Sequence, residues 1–258
     1  MTVIGMIHLR SLPGTPMSSV PVDQIVDHAL SEAKVYQDHK LDGLMIENMN
    51  DVPYSLDPSP ETVAIMTRVG WEIKREVTQL PLGVQILATR NREAMAVALG
   101  SSCDFIRVEN FVYSHIADEG LVNSNAAQLL RYRKNIKCEN VAVFTDIKKK
   151  HSSHSLTCDV DISETAKTAD FFMSDGLILT GTSTGSPVNV HEVESVASLN
   201  LSIPIIVGSG ANPANVSPLF KAGARAAIVG SYFKKDGHWR NDLNSERIKR
   251  FIDAAHKI

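Results

Sequence analysis

The chain has 258 residues, of which 43% are hydrophobic and 21% charged, with a formal net charge of -3. That length is typical of one closed α/β barrel, and the composition is that of a soluble globular domain with enough apolar residues for a sizeable core. Its lysines and arginines are scattered rather than clustered, which argues against nucleic acid or an anionic membrane as a partner.

No apolar run approaches the roughly 20 residues of a membrane helix. The three cysteines, Cys103, Cys138 and Cys158, form no closely spaced metal-ligand pattern, and their odd number argues against a disulfide framework. A reducing compartment fits this usage. The first strand begins almost at Met1, leaving no room for a signal peptide, so a cytoplasmic location is expected, or the mitochondrial matrix if a presequence has been removed.

Along the chain, short β-branched apolar runs alternate with longer amphipathic stretches, as in a parallel sheet covered by helices. The first strand is expected over residues 3–9, with His8 on the same face as Ile4 and Met6. A helical stretch over 24–40 leads to a second strand over 43–48, which ends in Glu47 and Asn48. Side chains alternate along a strand, so only one of that pair faces inward, and Asn48 with Ile46 is favoured. After a helix over 61–78, opened by Pro60, the third strand over 82–87 carries Gln85 in line with Gly83 and Leu87.

The fourth strand, 105–110, places Phe105, Arg107 and Glu109 on one face and Ile106 and Val108 on the other. Ser124 opens the next helix, 124–135. In the fifth strand, 141–147, Val141, Val143, Thr145 and Ile147 suit the helix layer, while Ala142, Phe144, Asp146 and the following Lys148 should face the lumen. A helix over 164–172 precedes the sixth strand, 176–181, which offers Thr180 and Thr182. Strands over 204–209 and 226–231 complete the set, with Pro213 and Ser245 as the remaining helix starts. Eight strand–helix units with no linker favour a single-domain (β/α)8 TIM barrel over an open doubly wound sheet.

The last two strands run into Gly208-Ser209-Gly210 and Gly230-Ser231. Glycines after strands also make ordinary turns. Here, however, they sit where barrels of this class hold phosphate, and glycine lets backbone amides approach an anion closely. A small phosphorylated molecule is therefore the expected ligand.

Charged groups inside a barrel are costly unless paired or needed for a ligand. Their convergence at the C-terminal end of the strands points to a site, although a space-filling network of Arg107 with Glu109 and Asp146 with Lys148 is the structural alternative. In the enzyme reading, Asp146 or Glu109 is the general base, Arg107 and Lys150 hold an enolate-like oxyanion, and His8 or His151 returns the proton. A Schiff-base variant uses Lys148. Glu47, Asn48, Gln85, Thr180 and Thr182 complete the substrate contacts, and His154 has no assigned role. No cofactor is expected: His8, Glu47, Glu109 and Asp146 could ligate a divalent metal, but they form no closely spaced ligand motif.

Several blocks, Gly5-Met-Ile-His8, Leu12-Pro-Gly-Thr-Pro16, Asp42-Gly-Leu-Met-Ile-Glu-Asn48, Asp51-Val-Pro-Tyr54 and Phe105-Ile-Arg107, resemble the BtpA family. So do Asp146 with Lys150-His151, Thr180-Gly-Thr-Ser-Thr-Gly185, Val207-Gly-Ser-Gly210, and Ile228-Val-Gly-Ser231 with Lys234-Lys-Asp-Gly237. The resemblance spans nearly the whole chain. It departs at Gln85 and Glu109, where the family tends to have uncharged residues such as asparagine, and at Lys148, where histidine is common. The resemblance implies a barrel akin to the ribulose-phosphate-binding barrels in its last two strands. It also implies one of two roles: an isomerase, epimerase or aldolase-like lyase acting on a sugar-type phosphate, or a non-catalytic biogenesis factor like the family's founding member, which serves photosystem I. A homodimer suits a barrel of this kind.

Overall fold

The computed structural model describes residues 1–256. Its elements in chain order are β1 (Thr2–His8), α1 (Val22–Asp38), β2 (Gly43–Glu47), α2 (Pro60–Glu76), β3 (Leu82–Gln85), α3 (Asn91–Ser101), β4 (Phe105–Val108), β5 (His115–Ala117), β6 (Gly120–Val122), α4 (Ala126–Asn135) and β7 (Ala142–Asp146). There follow β8 (Ser152–Ser153), α5 (Ile162–Phe171), β9 (Gly176–Leu179), α6 (Val190–Ala197), β10 (Ile205–Val207), α7 (Val216–Lys221), β11 (Ala226–Val229) and α8 (Ser245–Ala255).

Eight of these strands close into a barrel in the order β1-β11-β10-β9-β7-β4-β3-β2, and every neighbouring pair is parallel. This is the expected (β/α)8 architecture. The alternation of side chains along each strand makes two apolar layers. Outward residues such as Ile7, Leu44, Ile46, Val84, Ile106, Val108 and Val143 pack under the helices. Inward residues Ile4, Met6, Met45, Phe105, Ile178, Ile206 and Ile228 fill the lumen. Each large apolar side chain buried this way contributes about 1.5–3 kcal/mol. The apolar plug lies low in the lumen, because the inward positions nearest the strand ends are polar.

Local chemistry sets the helix boundaries. Pro60 opens α2, where its missing amide costs nothing. The Asp161 carboxylate accepts from the Glu164 amide to cap α5, and Asn244 caps α8 through the Arg247 amide. Two expected starts shift. The first turn of α4 is entered from Asn125 rather than Ser124. Residues 212–215 form a side-chain-stapled turn, with the Ala214 amide donating to Asn212 Oδ1 and the Asn212 amide to Asn215 Oδ1, so α7 begins after Pro213 rather than at it. The barrel strands also stop short of their expected C-terminal ends. The glycines of the last two units therefore lie in loops just beyond the ladder.

One element is additional to the expected set. Strands β5 and β6 form a hairpin, and β8 pairs antiparallel with β5 to give a small three-stranded sheet. It is built from the segments that follow β4 and β7, so it stands at the C-terminal end of the barrel, where the polar inward residues gather.

Candidate functional site

A cavity of about 220 Å³ opens at that end, lined by Gly208–Gly210, Ala211, Gly230–Tyr232 and Gly185 together with Arg107, Lys150 and Arg247. Among the described residues the backbone amides of Gly210, Ala211, Ser231 and Tyr232 donate to nothing, and all four residues line the cavity. Unpaired amides around one hollow form an anion-binding concavity. Glycine is needed there for space: a Cβ on Gly208 would stand 2.4 Å from Ile178 and 3.1 Å from the Arg107 guanidinium, and one on Gly210, whose φ is +65°, would stand 2.3 Å from the Ser186 carbonyl. The Ser209 hydroxyl is used structurally, accepting from the Gly181 amide and donating to the Ser186 carbonyl. It thereby holds the loop after β9 against the cup.

A second cavity of about 250 Å³ adjoins the cup and shares Glu47, Met49, Arg107, Lys150 and Thr184 with it. Two ion pairs brace its floor. Arg107 grips Asp146 with two hydrogen bonds of 2.8 Å, a bidentate pairing that fixes the guanidinium plane. Burial works against the Arg107 charge, but Asp146 outweighs it and holds the guanidinium pKa above its ordinary value. Glu109 meets the Lys149 ammonium at 3.1 Å and accepts from Gln85 Nε2 and the Thr89 amide. Burial opposes ionisation of this carboxylate as well, yet Lys149 and Thr89 pull its pKa below the usual range.

Two charged side chains on the shared wall have no such partners. Among the described residues Lys150 Nζ makes no hydrogen bond or ion pair. Burial, with Arg107 beside it, lowers its pKa from the ordinary lysine value. Glu47 is raised by burial, which Arg107 and Lys150 offset only in part. His8 Nε2 lies 3.8 Å from its carboxylate. That contact is not an ion pair, since burial and Lys234 depress His8 to about 3. The His8 Nδ1–H donates to the Trp239 carbonyl, so the nitrogen on the Glu47 side, Nε2, is the unprotonated one.

The structure brings together His8, Glu47, Gln85, Arg107, Glu109, Asp146, Lys150, His151 and the cup residues, and corrects the placement of others. Glu47, not Asn48, faces the lumen, because Met45 belongs to the inner layer and Ile46 to the outer. Asn48 instead ties two loops, donating to Asp51 and accepting from the Leu87 amide. Lys148 does not enter the barrel. Its φ of +48° breaks the strand alternation and its ammonium donates to the Thr157 carbonyl outside the two cavities, so the Schiff-base variant at Lys148 has no structural basis. For the same reason the expected pairs are exchanged: Asp146 holds Arg107 and Lys149 holds Glu109. Thr182 is exposed, while Thr180 acts behind the site by accepting from the Lys150 amide.

Sequence reasoning missed Lys149, Arg247, Tyr54, Trp239 and the acidic hairpin tip Asp118-Glu119, all of which line the two cavities. None lies within a barrel strand, so strand parity carried no signal for them. As to a metal, no three His, Cys, Asp or Glu side chains among the described residues are arranged to hold one.

Comparison with known proteins accords with this architecture. Solved structures that superpose on the whole chain include a 3-hexulose-6-phosphate synthase, with TM-score 0.62 and 15% identity over 98% of this chain and 99% of the other. Another is the orotidine 5'-phosphate decarboxylase of Pyrococcus horikoshii, with TM-score 0.58 and 15% identity over 99% and 100%. At such identities they show the fold alone. Among sequence relatives, a Caenorhabditis elegans protein named as mitochondrial is 48% identical over 99% of this chain and 93% of its own length. The photosystem I biogenesis protein of Synechocystis is 31% identical over 98% of this chain and 87% of its own. The BtpA family model matches residues 1–257, and the chain belongs to the BtpA family.

Proposed function

We propose that the chain is an enzyme acting on a small phosphorylated compound by proton transfer next to a carbonyl, as an isomerase, epimerase or aldolase-like lyase does. The observation that supports this most strongly is the shared wall. The hollow of unpaired amides and the braced carboxylate cavity meet at Lys150 and Glu47, two charged groups on the shared wall that among the described residues make no side-chain hydrogen bond. With phosphate in the cup, aided by Arg247, the reacting carbons lie against that wall. Glu47 takes the proton from the carbon beside the carbonyl, Lys150 and Arg107 hold the enolate oxygen, and the protonated Glu47 returns the proton to the adjacent carbon or oxygen. Asp146 and Glu109, the bases expected from the sequence, instead hold Arg107 and Lys149 in place.

The printed role of the Synechocystis relative favours a second reading, a non-catalytic assembly factor that retains the anion site. Solvent exchange separates the two. In D2O, a panel of phosphorylated aldoses and ketoses followed by proton NMR should show enzyme-dependent loss of one carbon-bound proton signal. Glu47→Gln should slow that exchange by about 100-fold or more. Binding without exchange for every compound would select the assembly reading. The thiols Cys103 and Cys138 are buried and free, which suits the cytoplasm or, given the name of the worm relative, the mitochondrial matrix.

A further inference from the structure

His8 is the last residue of β1, on the same inward face as Ile4 and Met6 and paired in register with Glu47 of β2. Its ring lines the cup cavity and lies between the cup and the shared wall. On one side is Gly230, where a Cβ would stand 2.9 Å from Cε1 and 3.2 Å from Nε2 of His8. Glycine at that position is what lets the ring lie so close to the free amides of Ser231 and Tyr232. On the other side is the Glu47 carboxylate, 3.8 Å from Nε2. A phosphorylated chain that runs from the cup to the shared wall therefore passes Nε2.

The rest of the ring fixes what that nitrogen can do. Nδ1 lies 3.3 Å from the Trp239 carbonyl, which can only accept, so Nδ1 carries a proton. Burial keeps the ring neutral, and a neutral imidazole has one such proton, which leaves Nε2 an acceptor. Among the described residues nothing donates to it: the only hydrogen bond of the His8 side chain is made by Nδ1, and 3.8 Å to Glu47 is beyond hydrogen-bond reach. A buried acceptor of this kind favours a ligand that donates at that point and penalises an analogue that lacks the donor.

We propose that His8 Nε2 reads a hydroxyl on the carbon chain between the phosphate and the carbonyl, so that the substrates are phosphorylated hydroxyaldehydes or hydroxyketones with a hydroxyl-bearing carbon in that stretch. The inference rests on the function proposed above and deepens it by naming the substrate class. Compounds deoxygenated between the two groups, and those whose carbonyl adjoins the phosphorylated carbon, offer nothing to Nε2 and are disfavoured. His8 is then a specificity residue rather than the proton donor expected from the sequence: it holds a hydroxyl in place while Glu47 moves the proton.

Racemic glycerol 3-phosphate and 3-hydroxypropyl phosphate, which differ by that one hydroxyl, test this, with inorganic phosphate as the reference for the cup. In isothermal titration calorimetry, glycerol 3-phosphate should bind about tenfold or more tightly than 3-hydroxypropyl phosphate. His8→Leu should bring the ratio to about one, with circular dichroism showing the variant folded. Without any substitution, the NMR resonance of His8 Nε2 should shift on adding glycerol 3-phosphate and stay in place with 3-hydroxypropyl phosphate; should His8→Leu not fold, that resonance decides. Equal binding of the two esters overturns the proposal and leaves the phosphate cup standing, and so does a preference that survives His8→Leu. If none of the three compounds binds, the cup fails with it. Binding does not depend on turnover, so a hydroxyl preference lost with His8 in a protein that exchanges no carbon-bound proton would uphold the role of His8 and remove the carbonyl chemistry alone.

Discussion

Glu47 and Lys150 differ from the other charges of the lumen in one physical respect: neither is neutralised by a neighbour, so each is left to act on a ligand. Burial raises the Glu47 pKa above 4.5 and, with Arg107, lowers that of Lys150 below 10.5. If Glu47 acts as base and Lys150 as cation, kcat/KM for the free enzyme should rise with a pKa above 4.5 and fall with a pKa below 10.5. Glu47→Gln should abolish the acid limb, and Lys150→Met the alkaline one. The paired residues behave differently when mutated. Lys149→Met leaves Glu109 buried and unpaired, which should cost about 3–5 kcal/mol and lower Tm by about 6–20 °C. Lys149→Met together with Glu109→Gln should recover much of that loss, and differential scanning fluorimetry checks both.

Among the elements, the strand ends carry the site, and their connections explain why substitutions away from the cavities should still be felt there. Thr180, at the end of β9, accepts from the Lys150 amide and so aims the loop that follows β7. Thr180→Val keeps the shape but removes that bond, at a cost of about 1 kcal/mol, and phosphate affinity should weaken severalfold while far-UV circular dichroism stays unchanged. Elements of this kind were legible in the sequence to different degrees. All eight barrel strands, and Arg107 and Asp146 as inward residues, follow from period-two alternation, because buried strands leave an unambiguous apolar record. Glu47 against Asn48 was misread because two polar residues in succession give parity no preference until the layer of Ile46 is known. Lys148 was misplaced because a single left-handed residue inverts the alternation, and no pattern announces it. The hairpin of β5 and β6 was invisible because three-residue strands are too short to show a period.

For the whole molecule, acid stability should report the buried histidines. His8 is depressed to about 3 and His115 to about 4, in each case first by burial, then by Lys234 and Lys149 respectively. Their unfolded values lie near 6.5, so the unfolded chain binds the protons. The stability these groups contribute is fully present above pH 6.5 and is lost as pH falls from there towards 3–4. A His8→Asn variant should show a flatter dependence of Tm on pH across that window. At the same scale, we expect the glycine loops that follow the last two strands of the barrel to bind phosphate esters. The most direct measurement is a thermal-shift titration of the protein with inorganic phosphate and a set of phosphate esters, alongside Arg247→Ala. A binding ester at one hundred times its Kd should add about 2.7 kcal/mol, raising Tm by about 5–11 °C, and Arg247→Ala should move the titration midpoint to higher concentration. No shift with any phosphorylated compound would contradict a phosphate site in these loops.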